Sequence, residues 1–323
     1  MQDTYGRKIE YLRISVTDKC NLRCRYCMPP GGVPGIPHEE ILRLEEIARL
    51  SGIMAGMGIK KIRLTGGEPL VRKNVTGLVR SMHEYPEIER LAITTNGVML
   101  PQLLPELIDA GLTNLNISID TLDREKYQEI TGFDKLEDVI SGIDSAYENG
   151  MEIKLNCVPC KGLNDDEFTR LAGLSRDRKI DVRFIELMPI GQGRLFTGIS
   201  SKEILEQLEA EYGKATELPY MGEGPAQYFA FEGFKGRVGF ISPISHKFCA
   251  DCNRLRLTSD GRLKLCLYYK DGVDLKGPLR EGASDEEIQE LVKKAIYMKP
   301  KEHCFGEADV QDTELKRMNQ IGG

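Results

Sequence analysis

Cysteines are the residues of this sequence with the clearest chemistry. The chain has nine, and six of them form two groups of three: Cys20, Cys24 and Cys27, and Cys249, Cys252 and Cys266. Thiolates bind zinc and iron–sulfur clusters, and both kinds of centre have four ligand positions. The two groups therefore predict two metal centres, each with one position left for a histidine or for a ligand from outside the protein.

The first group has the spacing Cys-x3-Cys-x2-Cys and lies in a loop directly after a predicted strand, residues 11–16. Three thiols on one short loop suit three corners of a cubane iron–sulfur cluster, whose fourth iron then stays open to a substrate or cofactor. The alternative is a structural zinc site with a histidine as its fourth ligand. His38 is the nearest histidine in the sequence.

The second group has the spacing Cys-x2-Cys-x13-Cys and brackets a predicted β-hairpin. The loop of this hairpin, residues 259–261, ends in a glycine suited to the left-handed conformation, and the resulting register pairs Arg254 with Cys266. Cys266 thereby returns beside Cys252. The face of the hairpin that carries Cys266 also carries four predicted cations: Arg254, Arg256, Arg262 and Lys264.

Zinc is again the alternative for the second group. His246 precedes Cys249 by three residues, so it would complete a Cys3His tetrahedron. Cations serve little purpose beside a sealed structural site, however. The hairpin therefore favours an iron–sulfur centre with an anionic ligand nearby.

The composition is that of a folded cytoplasmic protein. Hydrophobic residues make up 41% and charged residues 29% of the 323 residues, values that exclude disorder and fibrous repeats. No apolar run approaches the roughly 18 residues of a membrane span, and the N-terminus is polar, so we expect neither a membrane nor export. The net charge of −6 argues against a nucleic-acid partner, so a local group of Arg and Lys must hold any anionic ligand.

Strands alternate with helices along the first two-thirds of the chain, which predicts a parallel α/β sheet. The predicted strands are residues 11–16, 61–65, 91–95, 115–119, 152–156 and 182–187. The predicted helices between them are residues 41–54, 75–82, 103–110, 136–147 and 168–174. Six such units fit a doubly wound sheet or an incomplete (β/α)6 TIM-like barrel. We favour the barrel, because each strand ends in small or polar residues, as at a shared active-site rim.

The alternation weakens after about residue 191, and we expect two domains, residues 1–220 and 221–323. A predicted helix at 202–212 ends the first. The second is predicted to be an extension containing β-strands that closes the barrel mouth. Its predicted elements are a glycine-rich stretch at 221–236, a strand at 237–242, the cysteine hairpin and a helix at 286–297.

The first cysteine loop resembles that of the radical S-adenosylmethionine (SAM) enzymes. The likeness rests on the three cysteines, on the aromatic Tyr26 before the last of them, and on a Gly-Gly-Glu-Pro turn at residues 66–69. On its own this turn is an ordinary strand-to-helix connection. The resemblance implies a barrel of the radical SAM type in which the open iron chelates SAM. One-electron reduction then splits SAM and yields a 5′-deoxyadenosyl radical.

The whole pattern, from Tyr5 to the C-terminal Gly322-Gly323, is similar to the GTP 3′,8-cyclase family of molybdenum-cofactor biosynthesis. The second cysteine group, with the Asn-Arg-x-Arg run that starts at Asn253, is its most specific part. The resemblance implies two [4Fe-4S] clusters, the second of which contacts the guanine of GTP. It further implies a lyase that converts GTP to (8S)-3′,8-cyclo-7,8-dihydroguanosine 5′-triphosphate.

The same resemblance implies roles for individual residues, with the six grouped cysteines as cluster ligands. The positions that match SAM contacts are Tyr26, Gly67, Ser118 and Met188. The positions that match GTP contacts are Arg13, Arg63, Thr94, Lys154, Arg254 and Arg256. A mobile Gly-Gly end reaches the family's active site, so the residues given a catalytic role are Arg254, Arg256, Gly322 and Gly323. Taken singly, each of these residues also has a structural interpretation, as a core residue or a rim charge.

The implied partners are GTP, an external one-electron donor such as flavodoxin or ferredoxin, a cyclic pyranopterin monophosphate synthase that receives the product, and a second copy of the chain in a homodimer. Cys157 and Cys160 form another Cys-x2-Cys outside the family pattern. We interpret these two and Cys304 as thiols without a ligand role.

Other functions fit parts of the pattern. A radical SAM peptide-modifying enzyme also carries auxiliary clusters, although its extensions usually contain more cysteines than the three here. A zinc-stabilised binding module or an iron–sulfur electron carrier would use the cysteines without radical chemistry. Iron analysis distinguishes the zinc module, because two cubanes contain about eight irons.

Overall fold

The computed structural model describes residues 1–220, 224–305 and 313–322. Its strands are β1 Tyr11–Ser15, β2 Lys61–Thr65, β3 Arg90–Thr95, β4 Asn114–Ser118, β5 Glu152–Cys157, β6 Asp181–Ile185, β7 Thr216–Glu217, β8 Gln227–Ala230, β9 Val238–Ile241, β10 Arg254–Leu257, β11 Arg262–Lys264 and β12 Val273–Asp274. Its helices are α1 Leu44–Gly56, α2 Val75–His83, α3 Leu100–Asp109, α4 Arg124–Thr131, α5 Leu136–Glu148, α6 Phe168–Gly173, α7 Ser201–Tyr212, α8 Lys276–Arg280, α9 Asp285–Tyr297 and α10 Met318–Ile321.

The strands form one sheet in the order β12-β11-β10-β1-β2-β3-β4-β5-β6-β9-β8-β7. The run from β10 to β9 is parallel, and antiparallel strands extend it at both ends. The edge strands of the described sheet, β12 and β7, do not pair with each other, so the sheet is an incomplete barrel. The six predicted strands form its centre, and the predicted α/β fold is confirmed.

The C-terminal part of the chain adds strands to both sides of this centre. β10 pairs with β1, and β9 pairs with β6. The predicted division of the chain after residue 220 stays a prediction, although strands from beyond that point share the sheet with those before it.

The alternation of side chains along each strand separates the core from the site. Leu12 and Ile14 of β1 and Ile62 of β2 are fully buried in the core that includes the apolar faces of the helices. Arg13 and Arg63 occupy the intervening positions and line a cavity on the opposite face. The sheet therefore has an apolar outer face and a polar inner face.

Three helices were not predicted from the sequence: α4, α8 and α10. Of the residues of α4, only Tyr127, Ile130 and Thr131 are buried, so its apolar periodicity is weak. Its local signal is the N-cap, since the Asp123 side chain accepts a hydrogen bond of 2.8 Å from the Lys126 backbone N–H. The described part of the chain includes no helix that is both long and apolar enough to cross a membrane.

Candidate active site

A cavity of about 380 Å³ lies on the inner face of the sheet, and both cysteine groups line it. It is also lined by the predicted SAM and GTP positions: Arg13, Tyr26, Arg63, Gly67, Thr94, Ser118, Lys154, Met188, Arg254 and Arg256. Residues far apart in the sequence thus meet around one space.

Strand register places the cations of one wall side by side. Arg13 of β1 is in register with Arg63 of β2 and with Arg256 of β10, and Tyr11 is in register with Arg254. Neighbouring strands lie about 4.8 Å apart, so these side chains crowd together. Burial, followed by the charge of Arg254, lowers the pKa of Arg256 to about 10.

The next strands of the sheet, β3, β4 and β5, contribute polar side chains in the same way. Thr94, Asn116 and Lys154 are in register across these three strands. Arg183 of β6 donates hydrogen bonds to Asn116 Oδ1 at 2.5 Å and to Asn156 Oδ1 at 3.0 Å. Lys154 and Arg183 thus extend the positive charge of β1, β2 and β10 along the inner face of the sheet.

Several polar atoms of these walls have no partner in the described structure. They are Tyr11 OH, Arg63 Nε, Thr94 Oγ1 and Arg254 Nε, all of them buried. Burial opposes ionisation of Tyr11, but the charges of Arg63 and Arg13 outweigh it and lower the pKa of Tyr11 to about 8. Unsatisfied buried donors amid positive charge are chemically suited to a ligand with several anionic oxygens.

The first cysteine group lies in a loop fastened to the end of α4. The backbone N–H groups of Arg23 and Arg25 donate to the carbonyls of Thr131 and Ile130, at 2.8 and 3.0 Å. Burial raises the pKa of the Cys20 thiol to about 11 and that of Cys27 to about 12. Leu22 and Asn96 donate N–H groups to the Cys20 sulfur, and Asn319 donates its backbone N–H to the Cys27 sulfur.

These thiols fit a metal cluster, because a bound metal supplies the positive charge that stabilises a buried thiolate. Cys24, which lies between the other two, has a pKa raised well above the usual range by burial, Asp120 and the neighbouring cysteines. Three sulfurs that repel one another when ionised would be stabilised together by one cationic core.

The turn after β2 passes extremely close to the first cysteine loop. A Cβ atom added to Gly67 would lie 2.3 Å from the carbonyl oxygen of Lys19, next to Cys20. Only glycine fits such an approach. The following Glu68 is buried and accepts hydrogen bonds from Thr95 Oγ1 at 2.7 Å and from the Asn96 N–H at 2.6 Å. The loops after β1, β2 and β3 are therefore held as one unit.

Tyr26 is fixed by a residue that the sequence analysis did not identify. Its hydroxyl donates to Asp120 Oδ2 at 2.5 Å, and Asp120 Oδ1 accepts from the Val158 N–H at 2.9 Å. Burial raises the pKa of Asp120 to about 6. Cys157 and Cys160 are also buried, and Asn164 Nδ2 lies 3.5 Å from Cys157 Sγ.

The second cysteine group has the predicted hairpin between its members. Arg256 pairs with Lys264, and Gly261 has a φ of +83°, so the predicted register is confirmed as far as β11 extends. The Arg7 guanidinium donates to the Cys249 carbonyl at 2.9 Å. Burial opposes ionisation of Cys252, but the charges of Lys299 and Arg254 outweigh it and lower its pKa.

Two of the four hairpin cations do not reach the cavity, which corrects the prediction. Arg262 is exposed, and Lys264 forms a buried ion pair with Glu314. The reason is the position of their strand, because β11 lies one strand farther from the barrel centre than β10. Arg254 and Arg256, on β10 itself, do line the cavity.

The described structure contains no preformed single-ion site at either cysteine group. His246 is exposed, and its Nδ1 lies 3.4 Å from Ser245 Oγ. Among residues 1–220, 224–305 and 313–322, no three His, Cys, Asp or Glu side chains form a group that could hold one metal ion. The case for clusters rests on the thiol environments and the shared cavity.

The C-terminal segment enters the site. The Arg256 guanidinium donates to the Gly322 carbonyl, and Asn319 Nδ2 donates to the Asp18 carbonyl at 3.0 Å. Gly322 has a φ of +77°, and a Cβ there would lie 2.7 Å from Thr65 Oγ1. Gly323 lies outside the described residues.

Sequence reasoning also missed cavity residues on the central strands. Lys61 and Arg183 line the cavity, and burial lowers the pKa of Lys61 to about 8. The alternation of side chains along a strand could have identified Lys61, since it precedes Arg63 by two positions and so shares its face of β2. The sequence marked Glu68 only as a member of the Gly-Gly-Glu-Pro turn, although burial raises the pKa of its carboxyl group to about 7.

Family models match both parts of the chain. A model described as the radical SAM superfamily matches residues 14–174, and one described as Molybdenum Cofactor Synthesis C matches residues 180–305. A GTP 3′,8-cyclase from Clostridium perfringens (strain 13 / Type A) is 45% identical, and one from Moorella thermoacetica is 47% identical. Both alignments span 328 positions and cover 100% of each chain.

This chain belongs to the GTP 3′,8-cyclase family. Its membership confirms the resemblance seen in the cysteine groups and the hairpin.

Solved structures agree on the fold. Streptococcus suis SuiB bound to S-adenosylmethionine has a TM-score of 0.59 at 15% identity, covering 90% of this chain and 67% of that one. SuiB bound to precursor peptide SuiA has a TM-score of 0.61 at 15% identity, covering 96% and 70%. At this identity the likeness shows the fold alone, and it does not bear on the substrate.

Proposed function

We propose that this protein is a radical SAM lyase that converts GTP to (8S)-3′,8-cyclo-7,8-dihydroguanosine 5′-triphosphate, an early step of molybdenum-cofactor biosynthesis. The observation that carries the proposal is one cavity that is lined by two cysteine triads and by a set of cations. One triad would hold the cluster that binds SAM. The other would hold a second [4Fe-4S] cluster whose open iron contacts the guanine.

The SAM side is supported by the close approach of two loops. The three ligands would be Cys20, Cys24 and Cys27. Gly67 leaves backbone groups exposed at the strand end, where they can bind the amino group of SAM. Ser118 and Met188 also line the cavity. Ser118 would contact SAM through a hydrogen bond, and Met188 would contact it through its apolar side chain. Tyr26 is held beside the cluster loop by Asp120.

The GTP side is supported by charge. A triphosphate would satisfy the unpartnered Nε atoms of Arg63 and Arg254 and the Thr94 hydroxyl. Guanidinium groups bind phosphate oxygens in pairs, which fixes orientation as well as charge. Arg13, Arg256 and Lys154 complete the proposed set. The proposed cluster ligands Cys249, Cys252 and Cys266 would then face the base.

When bound and reduced by an external one-electron donor of the flavodoxin or ferredoxin type, the first cluster and SAM supply a 5′-deoxyadenosyl radical. Transfer of the ribose 3′ hydrogen to that radical would form 5′-deoxyadenosine and leave GTP with a carbon-centred radical. This carbon would bond to guanine C8, and one electron from the external donor and one proton would complete the product. The chain itself holds the sugar and base in the reacting geometry and excludes water and competing hydrogen donors.

The C-terminal tail is proposed to take part in cyclisation. Arg256, which donates to the Gly322 carbonyl, is also a proposed triphosphate ligand, so the tail and the substrate meet at one guanidinium. Gly322 would therefore act beside the bound triphosphate, and the family resemblance extends the proposed role to Gly323. We further propose a cytoplasmic homodimer that passes its product to a cyclic pyranopterin monophosphate synthase.

The test is an anaerobic assay of reconstituted protein with SAM, GTP and a strong reductant. We expect deoxyadenosine formation to require GTP and to accompany a cyclic nucleotide. Cys27→Ala should abolish both products, whereas Cys157→Ala, which removes a thiol outside the cavity, should retain them. Deoxyadenosine formed equally well without GTP, with no cyclic nucleotide, would refute the proposal.

A further inference from the structure

Lys299 is a buried lysine beside the hairpin of the second cysteine group. Only 3% of it is exposed. Its ammonium donates to the carbonyl oxygen of Arg254 at 2.9 Å and to the carbonyl oxygen of Leu265. It therefore joins the segments at both ends of the hairpin, next to Cys266 in one and two residues after Cys252 in the other.

A buried ammonium needs a negative charge nearby. Two other buried cations beside the hairpin have one, since Arg7 pairs with Asp3 at 2.5 Å and Lys264 pairs with Glu314. Within the described part of the chain, Lys299 forms no ion pair with a carboxylate, and its ammonium donates to the two carbonyls instead. The protein thus keeps a positive charge here without an acidic side chain to neutralise it.

The two carbonyl partners place the ammonium beside the second cysteine group. Leu265 directly precedes Cys266, and Arg254 lies two residues after Cys252. The fixed positive charge is therefore held against the two segments that carry two of the proposed cluster ligands.

We propose that Lys299 is the counter-ion of the second iron–sulfur cluster and raises the reduction potential of that cluster. The inference rests on the proposed function, which supplies the cluster. A cubane with three thiolate ligands is anionic, and an added electron makes it more so, so a fixed positive charge stabilises the reduced form more than the oxidised form. Lys299 lines no part of the cavity and acts through the cluster, so it is a positioning residue.

The experiment isolates the second cluster in the full chain. Replacing Cys20, Cys24 and Cys27 with serine removes the first cluster, and the remaining one is measured by iron content and by an anaerobic redox titration followed by electron paramagnetic resonance. In this background we compare Lys299→Gln, which removes the charge, with Lys299→Arg, which keeps it. Lys301→Gln is the matched control, because Lys301 is exposed two residues away.

The parent, Lys299→Arg and Lys301→Gln should each bind about four irons and share one midpoint potential. Lys299→Gln should bind less iron or should be reduced only at a more negative potential. Equal iron and potential in Lys299→Gln would overturn the inference. A potential shifted equally in Lys299→Arg would also overturn it, and this variant decides the matter if Lys299→Gln does not fold. A parent without any second cluster would instead contradict the proposed function.

Discussion

Replacing Gly67 with alanine should damage the SAM site by a purely steric route. The new Cβ would lie 2.3 Å from the Lys19 carbonyl oxygen and 2.7 Å from that of Asp18, whereas ordinary contacts begin at 3.4 Å. Both neighbours are backbone atoms, so one of the two loops must move by about 1 Å, a kind of overpacking that costs about 1–3 kcal/mol. Because Lys19 precedes Cys20, this movement displaces the first cysteine loop.

Two measurements follow from this geometry. The melting temperature of the metal-free protein should fall by a few degrees. Binding of SAM to the reconstituted protein, measured by anaerobic calorimetry, should weaken by about tenfold to a hundredfold, since displacement by about 1 Å misaligns a bound ligand. GTP binding should change little, because Gly67 is not among the proposed GTP contacts.

Gly31→Ala is the matched control. A Cβ at Gly31 meets nothing within 4 Å, so this variant should melt and bind SAM as the parent does. If Gly67→Ala also matched the parent in both measurements, the close approach of the two loops would not exist in solution. The argument for Gly67 as a SAM contact would then fail.

Three further results are expected. Arg63→Met should weaken GTP binding by about tenfold to a hundredfold in calorimetry without reductant, because one charge-assisted contact is lost; unchanged affinity would refute its assignment to the triphosphate. Cys252→Ala should lower the iron content by about half, because one of two clusters is lost, whereas Cys160→Ala should leave it unchanged. Loss of iron from Cys160→Ala would mean that the ligands are misassigned. Burial raises the pKa of Glu68 from 4.5 to about 7, so between these pH values the folded protein keeps a proton that the unfolded chain releases. The free energy of unfolding, compared with that of Glu68→Gln, should therefore fall as the pH rises through that window. If urea unfolding gave the same difference between the two proteins at about pH 5 and pH 8, the raised pKa would be contradicted.

The strands and most helices could be predicted because their periodicities are local. Each predicted central strand overlaps the observed one, for example 61–65 with β2 and 152–156 with β5. The helix α4 was missed because few of its residues are buried. Its function is to hold the first cysteine loop through the carbonyls of Ile130 and Thr131.

The cysteine groups were identifiable because ligand spacing is also a local property. The supporting polar residues were not, because their roles depend on register and on contacts between distant segments. Lys61 and Arg183 look like ordinary strand charges until the barrel turns them inward. Asp120 matters through Tyr26, and Lys299 through a hairpin that lies more than thirty residues before it in the sequence. Arg262 was placed on the cationic face of the hairpin from strand alternation alone, and the position of β11 in the sheet explains why its side chain does not reach the cavity.

The most direct test of the account follows one hydrogen atom. GTP carrying deuterium at the ribose 3′ position is incubated anaerobically with the reconstituted protein, SAM and reductant, and the deoxyadenosine is analysed by mass spectrometry. The account predicts that deoxyadenosine gains one deuterium and that the nucleotide product loses it. Deoxyadenosine without deuterium, formed alongside a cyclic product, would contradict abstraction at the 3′ carbon and with it the proposed arrangement of SAM and GTP in the cavity.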